Sequence, residues 1–404
     1  MLLVKTPDEV FEILQKEFKP LNKNELVNLK DASGRILAED IISKEFIPNF
    51  SRSTVDGFAV NASDTFGCSE AIPAILTLQG KIKMGDPADE KLCKGCCFDV
   101  PTGGALPEGA DAVVMLEYTE DYGDGTIGIF KAAAPGENYV FKGDDLKPGD
   151  IILHKGRKLL PADIGSLAAM GRSRVLVSAM PRVGIISTGD ELVGIDEEPK
   201  EGQIRDVNSV VLYSLMKENG AVVTDYGITK DNESTLREVL TKALEECDLV
   251  LISGGSSAGE KDKTAMIIGE QGRLLFHGIA IKPGKPTILG ISNETAIFGL
   301  PGHPAAAFFI ANSFVVPVLK IYTGENKKCI KNKAVLTEAI DANHGRTQLT
   351  PVRLFEENGT VYAKPVISKS GLITALAETN HYIVIERNTE GLSKGEIVEV
   401  IDVL

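Results

Sequence analysis

The sequence has no evident run of apolar residues of membrane-spanning length, so no transmembrane segment is expected. Its first residues lack the basic, apolar and small-residue order of a signal peptide, and the expected location is the cytoplasm. Basic charge is also short. The 43 Lys and Arg against 57 Asp and Glu leave a net charge of −14, which argues against a protein that coats nucleic acid. A local basic pocket for a small anion remains open. Cysteine is sparse: Cys68, Cys93, Cys96, Cys97, Cys247 and Cys329. Cys93-x-x-Cys96 has no second ligand pair at finger-like spacing and the histidines are scattered, so reduced cysteines without a metal are expected. No Ser–His–Asp or Cys–His pairing for covalent catalysis is apparent.

What is present is a globular composition, 43% hydrophobic and 25% charged. A length of 404 residues is too great for one ordinary core and predicts roughly two to four domains. The most informative stretch begins at Leu249-Val-Leu-Ile252, a strand apolar on both faces. It breaks into Ser253-Gly254-Gly255-Ser256-Ser257-Ala258-Gly259, where backbone N–H groups and small hydroxyls can approach an anion without Cβ clashes. Glu260, Lys261, Asp262 and Lys263 follow, and Thr264 is expected to open a helix whose positive end faces the loop. Gly254 and Gly259 have the spacing of an ATPase phosphate loop, but Glu260 stands where that motif needs lysine.

Along the chain, Thr6-Pro7-Asp8-Glu9 predicts a capped helix, and a second helix-and-turn region is expected from Val27 to Ile42. Residues 47–143 read as an all-β insertion of short apolar runs broken by Gly and Pro. It begins near Asn49-Phe50-Ser51-Arg52-Ser53-Thr54-Val55-Asp56 and includes Pro101-Thr102-Gly103-Gly104. In isolation Asp144-Asp145 reads as a solvated turn. Residues 151–178 return to helix, with Pro161 near the start and Gly171 at the end. Residues 179–325 alternate strand and helix, with Asn208 and Ser234 as expected N-caps. Residues 326–404 read as a small β-barrel or sandwich. The expected domains are 1–46 plus 144–178, 47–143, 179–325 and 326–404.

A doubly wound sheet places ligands outside the carboxyl ends of its strands. Thr188-Gly189-Asp190-Glu191, the Gly254-Gly255 loop and Pro301-Gly302-His303 each follow a strand and can converge there. Lys282 and Lys285 offer point charges for phosphate or an oxyanion, and Ser256 and Ser257 offer hydroxyl donors. Asp190, Glu191 and Asp262 are hard oxygen ligands of the kind Mg²⁺ takes beside phosphates. Together these groups predict chemistry on a phosphoanhydride. His303, between Gly and Pro at a helix start, is a weaker catalytic candidate.

Ser53-Thr-Val-Asp-Gly-Phe-Ala-Val60, Pro101-Thr-Gly-Gly104, Ser187-Thr-Gly-Asp-Glu-Leu192, Ser253-Gly-Gly-Ser-Ser-Ala-Gly-Glu260, Lys282-Pro-Gly-Lys-Pro286 and Gly299-Leu-Pro-Gly-His-Pro304 occur in this order. The series, with Gly371-Leu372 and Tyr382-Ile-Val-Ile-Glu386, resembles the molybdopterin molybdenumtransferases, the MoeA and gephyrin E-domain family. The likeness runs the length of the chain. It implies an elongated multidomain α/β and β protein: a MogA-like doubly wound domain, an inserted β-rich domain, a helical and extended N-terminal domain and a C-terminal β-barrel. It implies the last step of molybdenum cofactor synthesis, in which molybdate enters adenylylated molybdopterin and AMP leaves with Mg²⁺ assisting. It further implies a homodimer with a site shared between subunits, and contacts with other proteins of the pathway. Asp56, Thr102, Asp145, Thr188, Asp231 and Pro301 match functional positions or motifs of the family. Phe58 stands where tyrosine is common, His303 where many members have asparagine, and Ala305-Ala306-Ala307 replaces a more usual Val-Ser-Ala. The competing readings are a nucleotide or pterin pyrophosphate hydrolase and a dimeric scaffold of the gephyrin type.

Overall fold

The computed structural model describes residues 4–230, 232–254, 261–326, 332–342, 345–366 and 374–402. Four of the parallel strands that the α/β pattern predicts lie side by side in the order Val222–Thr229, Arg182–Thr188, Leu249–Gly254, Thr295–Leu300. Two antiparallel strands, Ile288–Ser292 and Arg273–His277, complete one edge. The central strands are apolar on both faces because helices cover both. On one face Val183, Ile185, Leu249, Leu251 and Phe298 pack with Leu212, Leu215 and Met216 of helix Val207–Glu218. On the other, Ile186, Val250, Ile252 and Ile297 pack with Leu236, Leu240 and Ala243 of helix Glu233–Glu246 and with Ile267 and Ile268 of helix Lys261–Gln271. Strand order reverses between Arg182–Thr188 and Leu249–Gly254, so the ligand crevice of such a sheet opens between Thr188 and Gly254.

Several local expectations change. Asp206, rather than Asn208, caps helix Val207–Glu218, its carboxylate accepting from Ser209 N at 3.1 Å. Asn232, rather than Ser234, caps the next helix, accepting from Ser234 N at 3.0 Å. In both cases a better acceptor lies two residues upstream. The helix after the glycine loop begins at Lys261, before Thr264. The Val27–Ile42 region keeps one helical turn, Leu29–Asp31, but is bounded by strands: Asn24–Asn28 pairs with Arg174–Ser178, and Ile41–Ile42 pairs with Ile151–Leu153. Pairing partners more than 100 residues away overrode its local pattern.

The helix Pro7–Glu17 has its predicted capping box, Thr6 and Glu9 exchanging hydrogen bonds. The domain pattern expected from sequence groups it with residues 144–178, whereas its apolar face joins the α/β core. Val10, Leu14 and Phe18 are buried there, Phe11 lies 5.3 Å from Phe314 and Phe18 lies 5.9 Å from Tyr322 between ring centres.

A long apolar run does exist. Pro304–Thr323 spans 20 residues with mean hydropathy 1.7, enough by length and composition to cross a membrane. In this fold it is the central core helix, and 67% of the stretch is buried. Pro317, which has no N–H to donate, sits just after a π turn at Ala311–Val315 that relaxes the helix around it.

The inserted region is a six-stranded sheet ordered Ala112–Met115, Gly57–Val60, Cys96–Val100, Ala74–Lys81, Thr126–Ile129, Thr119–Asp121, with cores on both faces. In the last region, Thr347–Glu357 pairs with both Thr360–Pro365 and His381–Ile385, which closes the sheet into a barrel. The chain exposes 21118 Å², against roughly 15,000 Å² for a compact monomer of this mass. The arrangement is extended, as the family resemblance implies.

Candidate active site

The row Val183–Ile185–Ser187 and its neighbour Leu249–Leu251–Ser253 point to the same face of the sheet and change from apolar to hydroxyl at the carboxyl end. Ser187 and Ser253 are register partners, and both are buried. Beyond them, Gly189-Asp190-Glu191 leaves one strand and the glycine loop leaves the other. Asp190 and Glu191 are exposed, and the Glu191 carboxylate folds back so that a Cβ on Gly189 would come within 2.8 Å of it. Ile204 N donates to the Glu191 carbonyl at 2.8 Å.

The Lys282-Pro-Gly-Lys-Pro286 segment is held from two sides. Gly284 adopts φ +114° and packs on the core helix, where any Cβ would meet Ile310 at 2.4 Å. Ile281–Lys282 forms a short strand that pairs in parallel with Thr347 and Gln348 of the barrel, reinforced by Thr347 N donating to Ala280 O at 2.9 Å. That pairing brings Arg346 to the lysines. A cavity of about 860 Å³ results, lined by Lys282, Lys285, Arg346, Gln348, Pro301 and His303 among others. Lys282, Lys285 and Arg346 share this lining with a carboxylate residue, Asp341, and the resulting excess of cations suits a small oxyanion.

The structure thus brings together Lys282, Lys285, Pro301 and His303 in one wall. Thr188, Gly254, Asp190 and Glu191 lie at the neighbouring strand ends. Gly255, Ser256, Ser257 and Asp231 lie outside the described residues, as does the side chain of Asp262. Arg346 and Gln348 also line the cavity, and the sequence gives no sign of it: an arginine in a β-rich tail has no local signal, and only the cross-domain strand pair places it beside Lys282.

Asp56 and Thr102 meet in the inserted sheet, the Asp56 Oδ1 accepting from Thr102 N at 2.7 Å. Asp56, Thr102 and Asp145 are all exposed. Asp145 is fixed by its backbone, its N–H donating to Ile47 O at 3.0 Å, while Asp144 caps the turn by accepting from Phe141 N at 2.7 Å. The hydrogen bonds that hold Asp56 run within the β region.

Among the described residues no three His, Cys, Asp or Glu side chains cluster closely enough to hold a metal. Asp190 and Glu191 are nevertheless hard oxygen donors at a strand end, and Mg²⁺ commonly takes one or two carboxylates together with phosphate and water. The donor chemistry therefore fits the ion. Cys68, Cys93, Cys96, Cys97 and Cys247 are free thiols. Burial and nearby anionic groups push Cys97 up to about 12, so it stays an inert core thiol.

Residues 5–171 match the family model for the MoeA N-terminal region (domain I and II). Residues 184–321 match a probable molybdopterin binding domain, and residues 333–403 match the MoeA C-terminal region (domain IV). A putative molybdopterin biosynthesis protein of Methanocaldococcus jannaschii is 35% identical over 97% of this chain and 95% of its own length. A molybdopterin molybdenumtransferase of Haemophilus influenzae is 34% identical over 94% of this chain and 93% of its own. The crystal structure of a molybdopterin biosynthesis moeA protein from Pyrococcus horikoshii superposes with a TM-score of 0.88 at 35% identity, covering 99% of this chain and 100% of that one.

Proposed function

The chain belongs to the MoeA family and is a transferase of molybdenum cofactor biosynthesis; from that premise we propose that it inserts molybdate into adenylylated molybdopterin and releases AMP. The observation that carries this reading is the strand pair Lys282–Gln348, which gathers Lys282, Lys285 and Arg346 around one cavity beside the Pro301 turn. Those cations would hold the oxyanion. The strand ends at Thr188 and Gly254, with the glycine loop, would receive the nucleotide-linked phosphates of the substrate.

Asp190 and Glu191, with Asp262, would hold Mg²⁺, which when bound neutralises charge developing on the leaving phosphate. Asp56, with its carboxylate pinned by Thr102, and Asp145 would complete the site from the second subunit of a homodimer. The extended shape and exposed position of both carboxylates support that sharing. The hydrolase and scaffold readings are not favoured: relatives from Haemophilus influenzae, Staphylococcus epidermidis and Bacillus subtilis that match along nearly the whole chain are named molybdopterin molybdenumtransferase.

The test is to incubate the purified protein with adenylylated molybdopterin, with and without molybdate and Mg²⁺, and to follow AMP. Release that depends on molybdate is expected. Equal release without molybdate would overturn the reading in favour of hydrolysis.

A further inference from the structure

Asn208 is a buried polar group at the strand ends that the proposed chemistry leaves unused. It lies in the first turn of helix Val207–Glu218 and is 7% exposed. Its Nδ2 donates to Ser253 Oγ at 2.8 Å and to the Gly302 carbonyl at 2.9 Å. Ser253 is the residue before Gly254, where the glycine loop departs. Gly302 lies between Pro301 and His303, which line the cation cavity. One amide therefore ties the ends of two neighbouring parallel strands, Leu249–Gly254 and Thr295–Leu300, at the points where both site loops begin.

Stability alone does not account for this residue. Its Oδ1 is buried without a hydrogen-bond partner, as is Ser187 Oγ on the register partner of Ser253. Native cores rarely leave such atoms unpaired, and each exception calls for an explanation, an ordered water, an ion or a functional role among them. The helix does not need Asn208 either, since Asp206 supplies the cap. An apolar side chain here would remove the orphan oxygen but would also remove the side-chain link from Ser253 to Gly302, leaving the Ser253–Leu300 backbone pairing to hold the two strand ends.

We propose that Asn208 is a positioning residue for the transfer reaction: it clamps the Ser253–Gly254 strand end to the Pro301–His303 turn and so sets the spacing of the groups that these two strand ends present to the substrate. Transfer between two bound partners is sensitive to such spacing, and a misplacement of about 1 Å can cost about 100-fold in rate. The kinetic part of the proposal rests on the transferase reading. The clamp itself does not.

The experiment compares wild type with Asn208→Asp, which keeps the shape but loses both N–H donors. Asn208→Ala serves as a second variant should the buried carboxylate prevent folding. Amide hydrogen exchange read by mass spectrometry is expected to rise in the segments containing Ser253–Gly254 and Gly302–His303, with helix Glu233–Glu246 unchanged. The rate constant for molybdate-dependent AMP release should fall about 10- to 100-fold, with KM for adenylylated molybdopterin altered less than about threefold. In a double-mutant cycle, adding Ser253→Ala to Asn208→Asp should cost little more, because the contact is already gone.

Unchanged exchange in both segments would overturn the clamp. Increased exchange with wild-type kcat would overturn its role in positioning. A general rise in exchange throughout the sheet, with kcat falling in proportion to the folded fraction, would show a merely structural residue and also overturn it. A wild-type protein that releases no AMP would sink the transferase reading, and the exchange measurement would still decide the clamp.

Discussion

Gly254 lies against Thr188 so closely that a Cβ on Gly254 would come within 1.8 Å of the Thr188 carbonyl oxygen. The two residues are register partners at the switch point of the sheet, and Gly254 has φ +111°. Contact and backbone conformation both demand glycine. Gly254→Ala should therefore destabilise the protein by about 2–4 kcal/mol, and the surviving fold should lose AMP release. Thermal melting and the AMP assay check this; a melting temperature equal to wild type would contradict it.

Lys282 and Arg346 come from different domains but line one cavity. Lys282→Ala and Arg346→Ala are each expected to weaken molybdate binding about tenfold, more strongly at low than at high salt. Isothermal titration calorimetry measures both. Affinity lost for Lys282→Ala alone would remove Arg346 from the oxyanion site.

Asp56→Ala removes the carboxylate that accepts from Thr102 N. It should lower turnover by about 100-fold or more while leaving the melting temperature near wild type, since the side chain is exposed. Mixed dimers of Asp56→Ala with Asp262→Ala should recover part of the activity if one site draws on both subunits. No recovery, with mixed dimers verified by native mass spectrometry, would place both residues in a single-chain site.

Asp190→Ala should raise the Mg²⁺ concentration needed for half-maximal AMP release by about tenfold, and excess Mg²⁺ should restore most of the rate. A rate that stays low at saturating Mg²⁺ would assign Asp190 a role other than holding the ion.

Asp163 makes a bidentate pair with Arg157, both bonds at 2.9 Å, and accepts from Leu160 N at 2.9 Å. Burial opposes its charge, but these hydrogen bonds and the guanidinium outweigh burial and hold its carboxyl below the ordinary value of 3.8. A depressed folded value means that the contribution is present above that ordinary value and fades as pH falls through the folded one. Asp163→Asn should cost about 1–2 kcal/mol near neutral pH, the exposed half of Arg157 limiting the loss. The difference from wild type should shrink as pH drops below about 3.8. Denaturant melts at two pH values measure it, and a constant difference would mean that the charge contributes nothing.

The sequence by itself determined the family and the elements whose signal is purely local. The both-face apolar run Leu249–Ile252 could only be an inner strand, Thr6 and Glu9 could satisfy each other's donors, and the glycine-rich turn had to follow a strand end. Only tertiary structure decided which side chains meet. Asn208 looked like a cap because caps are recognised from neighbours in sequence; its partners Ser253 and Gly302 lie 45 and 94 residues away. Arg346 gained meaning only when Thr347 and Gln348 paired with Ile281 and Lys282. The helix Pro7–Glu17 was legible as a helix, yet its destination in the α/β core was not. Periodicity records which face of an element is apolar, whereas the identity of the surface that covers it depends on contacts made only after the chain has folded.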